Sequence, residues 1–104
     1  MRLTYPTALV LQALLDGHHH GFDIMDATGL PSGTVYPILR RLDAEACVRS
    51  RWEKDGVARK EQRPPRRYYE LTMGGRQLAA EAKTRAVAMA HAGKRLLEPV
   101  ESEG

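Results

Sequence analysis

Between Leu30 and Thr72 the chain sets a short amphipathic helix directly ahead of two strand-forming runs joined by a cationic loop, and few folds accept that order. Val35, Ile38, Leu39 and Leu42 fall at i, i+3, i+4 and i+7, which is one apolar stripe at helical period. Gly33, Thr34, Pro37, Arg40, Arg41 and Ala44 point the other way, leaving an outward face that is small, polar and basic. Val48 to Glu53 alternates as a strand, with Val48, Ser50 and Trp52 on one face. Arg67 to Thr72 is its hairpin partner, with Tyr69 and Leu71 inward and Tyr68 placed to pair across strands with Trp52. Lys54 to Pro65, the tip, is too polar and proline-rich for regular structure. The outline is mainly α with a β-hairpin wing, a winged helix-turn-helix. It puts a helix sized for the DNA major groove beside a cationic arm for the phosphates.

The charge distribution agrees with that reading. Formal net charge is only +3, but residues 31–76 hold eleven Arg or Lys against six acids. Aromatic residues make up 6% of the chain, so Leu, Val, Ile and Ala must fill the core. With 104 residues there is room for one core and an appended helix. The expected organisation is a DNA-binding domain over 1–72, a carboxy-terminal dimerisation helix over 73–98 and a disordered tail over 99–104. Cys47 is the sole cysteine and excludes an internal disulfide. No signal peptide is evident, and no apolar run approaches the ~20 residues that span a bilayer. A cytoplasmic protein without membrane contact is expected.

Around this centre the other elements are legible. Pro6 suits the first turn of a helix capped by Thr4 or Tyr5. Leu9 to Leu15 make that helix apolar on most sides, and Asp16-Gly17 end it. His18-His19-His20-Gly21 reads as a polar connector to a short helix from about Phe22 to Thr28, stopped by Gly29. Leu30-Pro31 is a tight turn and Ser32 is the expected cap of the third helix. A last long helix starts at Thr72 and runs to about Leu97.

The candidate DNA contacts follow from this arrangement. Ser32, Gly33 and Thr34 are small, and the unpaired amides of a helix start favour a phosphate. Thr34 suits a base edge or a thymine methyl. The blander alternative is a capping serine and an exposed threonine. Tyr36-Pro37 is tolerated inside a helix because the residue four before the proline is Gly33, leaving a distorted start and a free carbonyl. Tyr36 then reaches a phosphate or packs on helix two. Arg41 lies nearer the Thr34–Pro37 row than Arg40, and either could instead be a solvated arginine paired with Asp43 or Glu45. The wing adds Arg59, Lys60, Arg63, Arg66 and Arg67, a dense electrostatic footprint with only Glu61 against it.

No constellation for catalysis stands beside these residues. Adjacent histidines at 18–20 project in different directions and lack ligand spacing, so neither a metal site nor a cofactor is expected. Cys47 reads as a small buried hydrophobe. There is no Ser-His-Asp arrangement, glycine-rich phosphate loop or catalytic carboxylate pair, and an enzyme is not expected. In the final helix Leu78, Ala82, Ala86, Met89, Gly93 and Leu97 form one stripe, flanked by Ala79 and Ala90. That stripe can pack on helix one, on a second copy of the chain, or on both.

Taken together these segments resemble the PadR family of bacterial transcriptional regulators over about residues 3–98. The matching pieces are Thr7 to Leu15, Gly21-Phe22-Asp23-Ile24, Leu30-Pro31-Ser32-Gly33-Thr34-Val35-Tyr36-Pro37-Ile38-Leu39, and Arg41-Leu42. Ser50-Arg51-Trp52-Glu53, Arg63 to Thr72 and Gly75 complete them. The chain looks like the compact subgroup with a shortened second helix and a single carboxy-terminal helix. The resemblance implies a homodimer on a palindromic operator, usually a repressor, with Ser32, Gly33, Thr34, Tyr36 and Arg41 facing DNA and Arg63, Arg66 and Arg67 in the wing. Some relatives release DNA when a phenolic or planar molecule binds at the dimer interface. Here the final helix is Ala-rich and lacks the stacking aromatic residue, and no inducer is legible. A second departure is Ala46-Cys47, where the family pattern has Gly and a large apolar residue; if that turn needs positive φ, Ala46 is strained. The competing reading is a winged-helix module that binds an acidic protein partner.

Overall fold

A computed structural model describes residues 2–97, with side chains as far as residue 93. The order is α1 (Tyr5–Leu15), α2 (Gly21–Thr28), α3 (Ser32–Ala44), β1 (Val48–Trp52), α4 (Val57–Lys60), β2 (Arg67–Leu71) and α5 (Met73–Leu97). The fold is mainly helical, with a two-stranded antiparallel hairpin and a long final helix. The expected tail over 99–104 lies outside the described residues, as does the side chain of Leu97.

The core forms where the apolar stripes converge. Val10, Leu11 and Leu14 of α1, Ile24 of α2, and Val35, Ile38, Leu39 and Leu42 of α3 are buried together with Val48, Tyr69, Ala79 and Ala82. Thr4 caps α1, its Oγ accepting from the Thr7 amide at 3.3 Å. Gly29 ends α2 in the left-handed conformation at φ 73°. Pro37 lies within α3, which continues through it to Ala44.

Four expectations need correction. Ser32 is not the cap of α3: that position is Pro31, whose extended backbone (ψ 161°) offers its carbonyl to Thr34 and Val35, and no side chain caps the helix. The wing tip is not irregular throughout, because Gly56 at φ 88° turns the chain into the single helical turn α4, which buries Ala58. Tyr68 does not pair with Trp52. The register sets Arg51 opposite Tyr68 and Trp52 opposite Arg67, so the two aromatics point to opposite faces of the hairpin. Finally, Thr72 precedes α5 as its cap, its Oγ accepting from the Gly75 amide at 3.1 Å.

Two backbone junctions fix the hairpin to the helices. The histidine connector joins the sheet as a short third edge: the Tyr69 amide donates to the His19 carbonyl at 2.7 Å, and His20 bridges to Tyr68. At the far end the Thr72 amide donates to the Cys47 carbonyl at 3.0 Å, and the Thr72 hydroxyl to the Ala46 carbonyl at 2.6 Å. Gly75 is packed against the same peptide, where any Cβ would overlap the Cys47 carbonyl. Cys47 itself is partly buried against the core, and burial pushes its thiol pKa up.

Candidate nucleic-acid interface

The start of α3 is exposed at Pro31, Ser32 and Gly33, with Thr34 half-buried. With no side-chain cap, the first amides of α3 keep their partial positive charge, and the small side chains let another backbone approach. One helical residue turns about 100°, so the outward face divides into two flanks. Thr34 and Arg41 stand on one flank. Tyr36, Arg40 and Asp43 stand on the other, where they line an open cleft against the wing. Tyr36 does what the blander alternative anticipated: its ring lies over Gly21 at the start of α2, and a Cβ there would strike it. It is still 39% exposed.

The wing is shaped by a buried carboxylate that sequence reading missed. Glu53 continues β1, and its side chain is only 4% exposed. It accepts two parallel bonds from the Arg63 guanidinium at 2.7 and 2.9 Å, one from the Arg66 amide at 3.2 Å and one from the Tyr68 hydroxyl at 3.3 Å. Arg63 also donates to Glu61 at 2.7 Å. The Arg63 hydrogen bonds, opposed by burial and helped by the Arg66 amide, hold the Glu53 pKa down to about 2. Arg63, expected to face DNA, is therefore turned inward as a strut with both faces of its fork occupied. The only hint in the sequence was an acid at the end of a strand ten residues before an arginine.

The other wing cations differ in how free they are. Arg67 donates to the Ser50 hydroxyl at 2.7 Å, stands 3.8 Å from Asp43, and covers the Trp52 ring at 5.5 Å. Arg51 lies over Tyr68 at 5.0 Å on the opposite face. Arg59 and Lys60 extend from α4 into solvent, and among the described residues their side chains, like those of Arg40, Arg41 and Arg66, have no acidic partner. Burial and the nearby Arg66 and Arg63 lower the pKa of His20.

The three histidines are structural. His18 meets Asp23 at 3.0 Å, His19 Nδ1 lies 3.1 Å from the Tyr69 carbonyl, and His20 caps α2 while meeting Tyr68 edge-on. Among the described residues no group of three His, Cys, Asp or Glu is placed to hold a metal ion. No described helix is long and apolar enough to cross a membrane.

The stripe of α5 divides sharply. Leu78, Ala79 and Ala82 pack on the chain's own core. From Lys83 to Ala92 every residue is exposed, including Ala86, Val87 at 48% and Met89 at 75%; Gly93 is half-buried.

A small helical domain with its third helix presented beside a β-hairpin wing is a winged helix-turn-helix. Residues 10–81 match the transcriptional regulator PadR-like family. The chain belongs to that family of DNA-binding transcriptional regulators, whose members are not enzymes. Among solved structures it is similar to a PadR family transcription regulator from Clostridium difficile, at 20% identity and TM-score 0.77 over 91% of this chain and 100% of that one. It is similar also to a PadR-like regulator from Bacillus cereus, at 19% identity and TM-score 0.71 over 89% and 91% of the two chains. A third similar structure is BpsR of Bordetella bronchiseptica, whose DNA binding is regulated by 6-hydroxynicotinic acid. It shares 27% identity at TM-score 0.71, over 95% of this chain and 70% of that one. No curated protein matches the sequence.

Proposed function

We propose that this protein is a homodimeric repressor that reads an inverted-repeat operator. The observation that carries the reading is the uncapped, small-residue start of α3 beside a wing that a buried ion pair holds in shape. Ser32, Gly33, Thr34 and Arg41 face the major groove, with Thr34 and Arg41 on the base-reading flank. Tyr36, Arg40, Arg59, Lys60, Arg66 and Arg67 meet phosphates, and Arg63 acts through the wing it braces.

The dimer is supported by α5, whose distal half leaves Ala86, Val87 and Met89 exposed. A second copy of the helix crossing there would cover that stripe, and Gly93 would permit close approach. The regulation of BpsR by an aromatic acid supports an effector-responsive reading of this chain as well.

Selection from a random duplex pool at ~150 mM salt tests the proposal, with light scattering to establish the oligomer. An enriched inverted repeat with half-sites about one helical turn apart is expected. A folded protein that enriches no sequence would overturn sequence-specific repression and favour a protein partner.

A further inference from the structure

Four arginines line the cleft between α3 and the wing, and they are not equally available. Arg63 is turned inward onto Glu53, while Arg40 and Arg66 have no acidic partner among the described residues. Arg67 is tied across the cleft to α3. Its guanidinium donates to the Ser50 hydroxyl at 2.7 Å, that hydroxyl donates to Asp43 Oδ2 at 3.3 Å, and the guanidinium itself stands 3.8 Å from the same oxygen. Asp43 thus leaves a carboxylate 40% exposed on a face that is to meet a polyanion. The link is not needed to place the wing. The hairpin is held by the Tyr69 amide on the His19 carbonyl, the Thr72 amide on the Cys47 carbonyl, and the burial of Val48 and Tyr69 in the core. Arg67 is as exposed as Asp43, at 41%, and an ion pair so open to water adds little to stability. It is correspondingly easy to open, and a phosphate oxygen offers Arg67 a direct charge-assisted bond in place of one reached through a hydroxyl.

We propose that Asp43 limits the affinity of this protein for DNA: Arg67 reaches a phosphate only by leaving Asp43, and that exchange weakens every complex, whatever its base sequence. The proposal rests on the DNA-binding reading and concerns the same face. Because the exchange touches no base edge, its cost is the same on operator and on random duplex, and the ratio of the two affinities is unaffected. An acid at this position therefore sets how tightly the protein holds phosphate without altering which sequence it prefers. The other chemistry open to a carboxylate on this helix, accepting from the N4 amino group of a cytosine, alters preference instead.

Fluorescence anisotropy with a labelled random duplex and the duplex selected as above, at ~50 and ~300 mM salt, tests this. Asp43→Asn keeps the shape and an acceptor oxygen for Ser50 while removing the charge. It should tighten both duplexes by a similar factor, about two- to fivefold at the lower salt and less at the higher. Its Tm should stay within about 2 °C of wild type, so that the gain is not one of folding. Arg67→Gln should weaken both duplexes, and Asp43→Asn added to it should gain less, because no tether is left to break. A brace predicts the opposite sign, so weaker binding by Asp43→Asn overturns the proposal. A gain on one sequence alone overturns it too, making Asp43 a base contact. An equal gain beside Arg67→Gln does the same, since Asp43 then repels DNA by itself. If wild type and variants bind no duplex at ~50 mM salt, the DNA-binding reading falls and this one with it. Duplex binding that Asp43→Asn leaves unchanged removes this one alone.

Discussion

Replacing Ala46 by glycine should make the protein more stable, and the size of the gain can be worked from the end of α3. The Cys47 amide donates to the Leu42 carbonyl at 2.8 Å and the Ala46 amide to the Asp43 carbonyl at 3.1 Å, the paired bonds of a Schellman termination. That motif puts its last residue in the left-handed region, and Ala46 is there at φ 58°. A Cβ in this conformation costs about 1–2 kcal/mol. Glycine removes the clash but gives the unfolded chain more freedom, returning about 0.4–1 kcal/mol. Ala46 is exposed, so its methyl contributes little burial. The net gain is then ~0.5–1 kcal/mol, a rise in Tm of roughly 2–8 °C for a domain this size. Scanning calorimetry at one fixed protein concentration measures it, since a dimer's Tm moves with concentration. Ala46→Val should lower Tm, because a β-branched residue fits the left-handed region worse. An unchanged or lower Tm for Ala46→Gly would refute the strain argument.

Gly75→Ala should cost about 2 kcal/mol or more, because the new methyl meets the Cys47 peptide rather than a movable side chain; chemical denaturation reads the loss, and a neutral result would show that α5 can shift. Glu53, with a folded-state pKa of about 2 against an ordinary 4.5, favours the folded wing fully above pH 4.5, and that contribution fades as pH falls toward 2. Wing amides such as that of Arg66 should therefore shift between those pH values in the wild type and not in Glu53→Gln; a wild-type wing indifferent to acid would contradict the clasp. Arg41→Ala should cost ~1–3 kcal/mol of operator binding and relax sequence preference, whereas uniform weakening on every duplex would make Arg41 a phosphate contact. Truncation after Lys83, which keeps the core residues Leu78, Ala79 and Ala82, should abolish dimerisation, and a dimer surviving that cut, seen by light scattering, would move the interface elsewhere.

Much of this molecule could be read from local pattern. The 3.6-residue stripe of α3, the alternation of β1 and the Gly29 stop are properties of neighbouring residues, and all three stand where expected. Ala46 was legible only through the family resemblance, which has glycine at that turn, and the condition attached to it is met at φ 58°. What escaped were long-range pairings. Charge density singled out Arg63, but its role depends on Glu53 ten residues away being carried beneath it by the hairpin. Trp52 and Tyr68 fell on opposite faces because the register places Arg67, not Tyr68, opposite Trp52. The cleft between α3 and the wing is lined by both Phe22 of α2 and Trp52 of β1, and no window on the sequence holds both. On α5, periodicity drew one stripe, whereas packing assigned Leu78 and Ala82 to the chain's own core and left Ala86 and Met89 outside it.

The corner at Cys47, Thr72 and Gly75 has a mechanical consequence. Three contacts within one peptide's reach tie the foot of α5 to the base of the hairpin, as the arm of a crank is tied to its shaft. From Gly75 to Gly93 that crank is ~27 Å long at 1.5 Å per residue. A rotation of about 10° at the corner carries its far end through roughly 5 Å, and the same rotation, read from the other end, re-aims the wing. If the corner holds under that rotation, a load on the distal half of α5 is felt at the base of the hairpin.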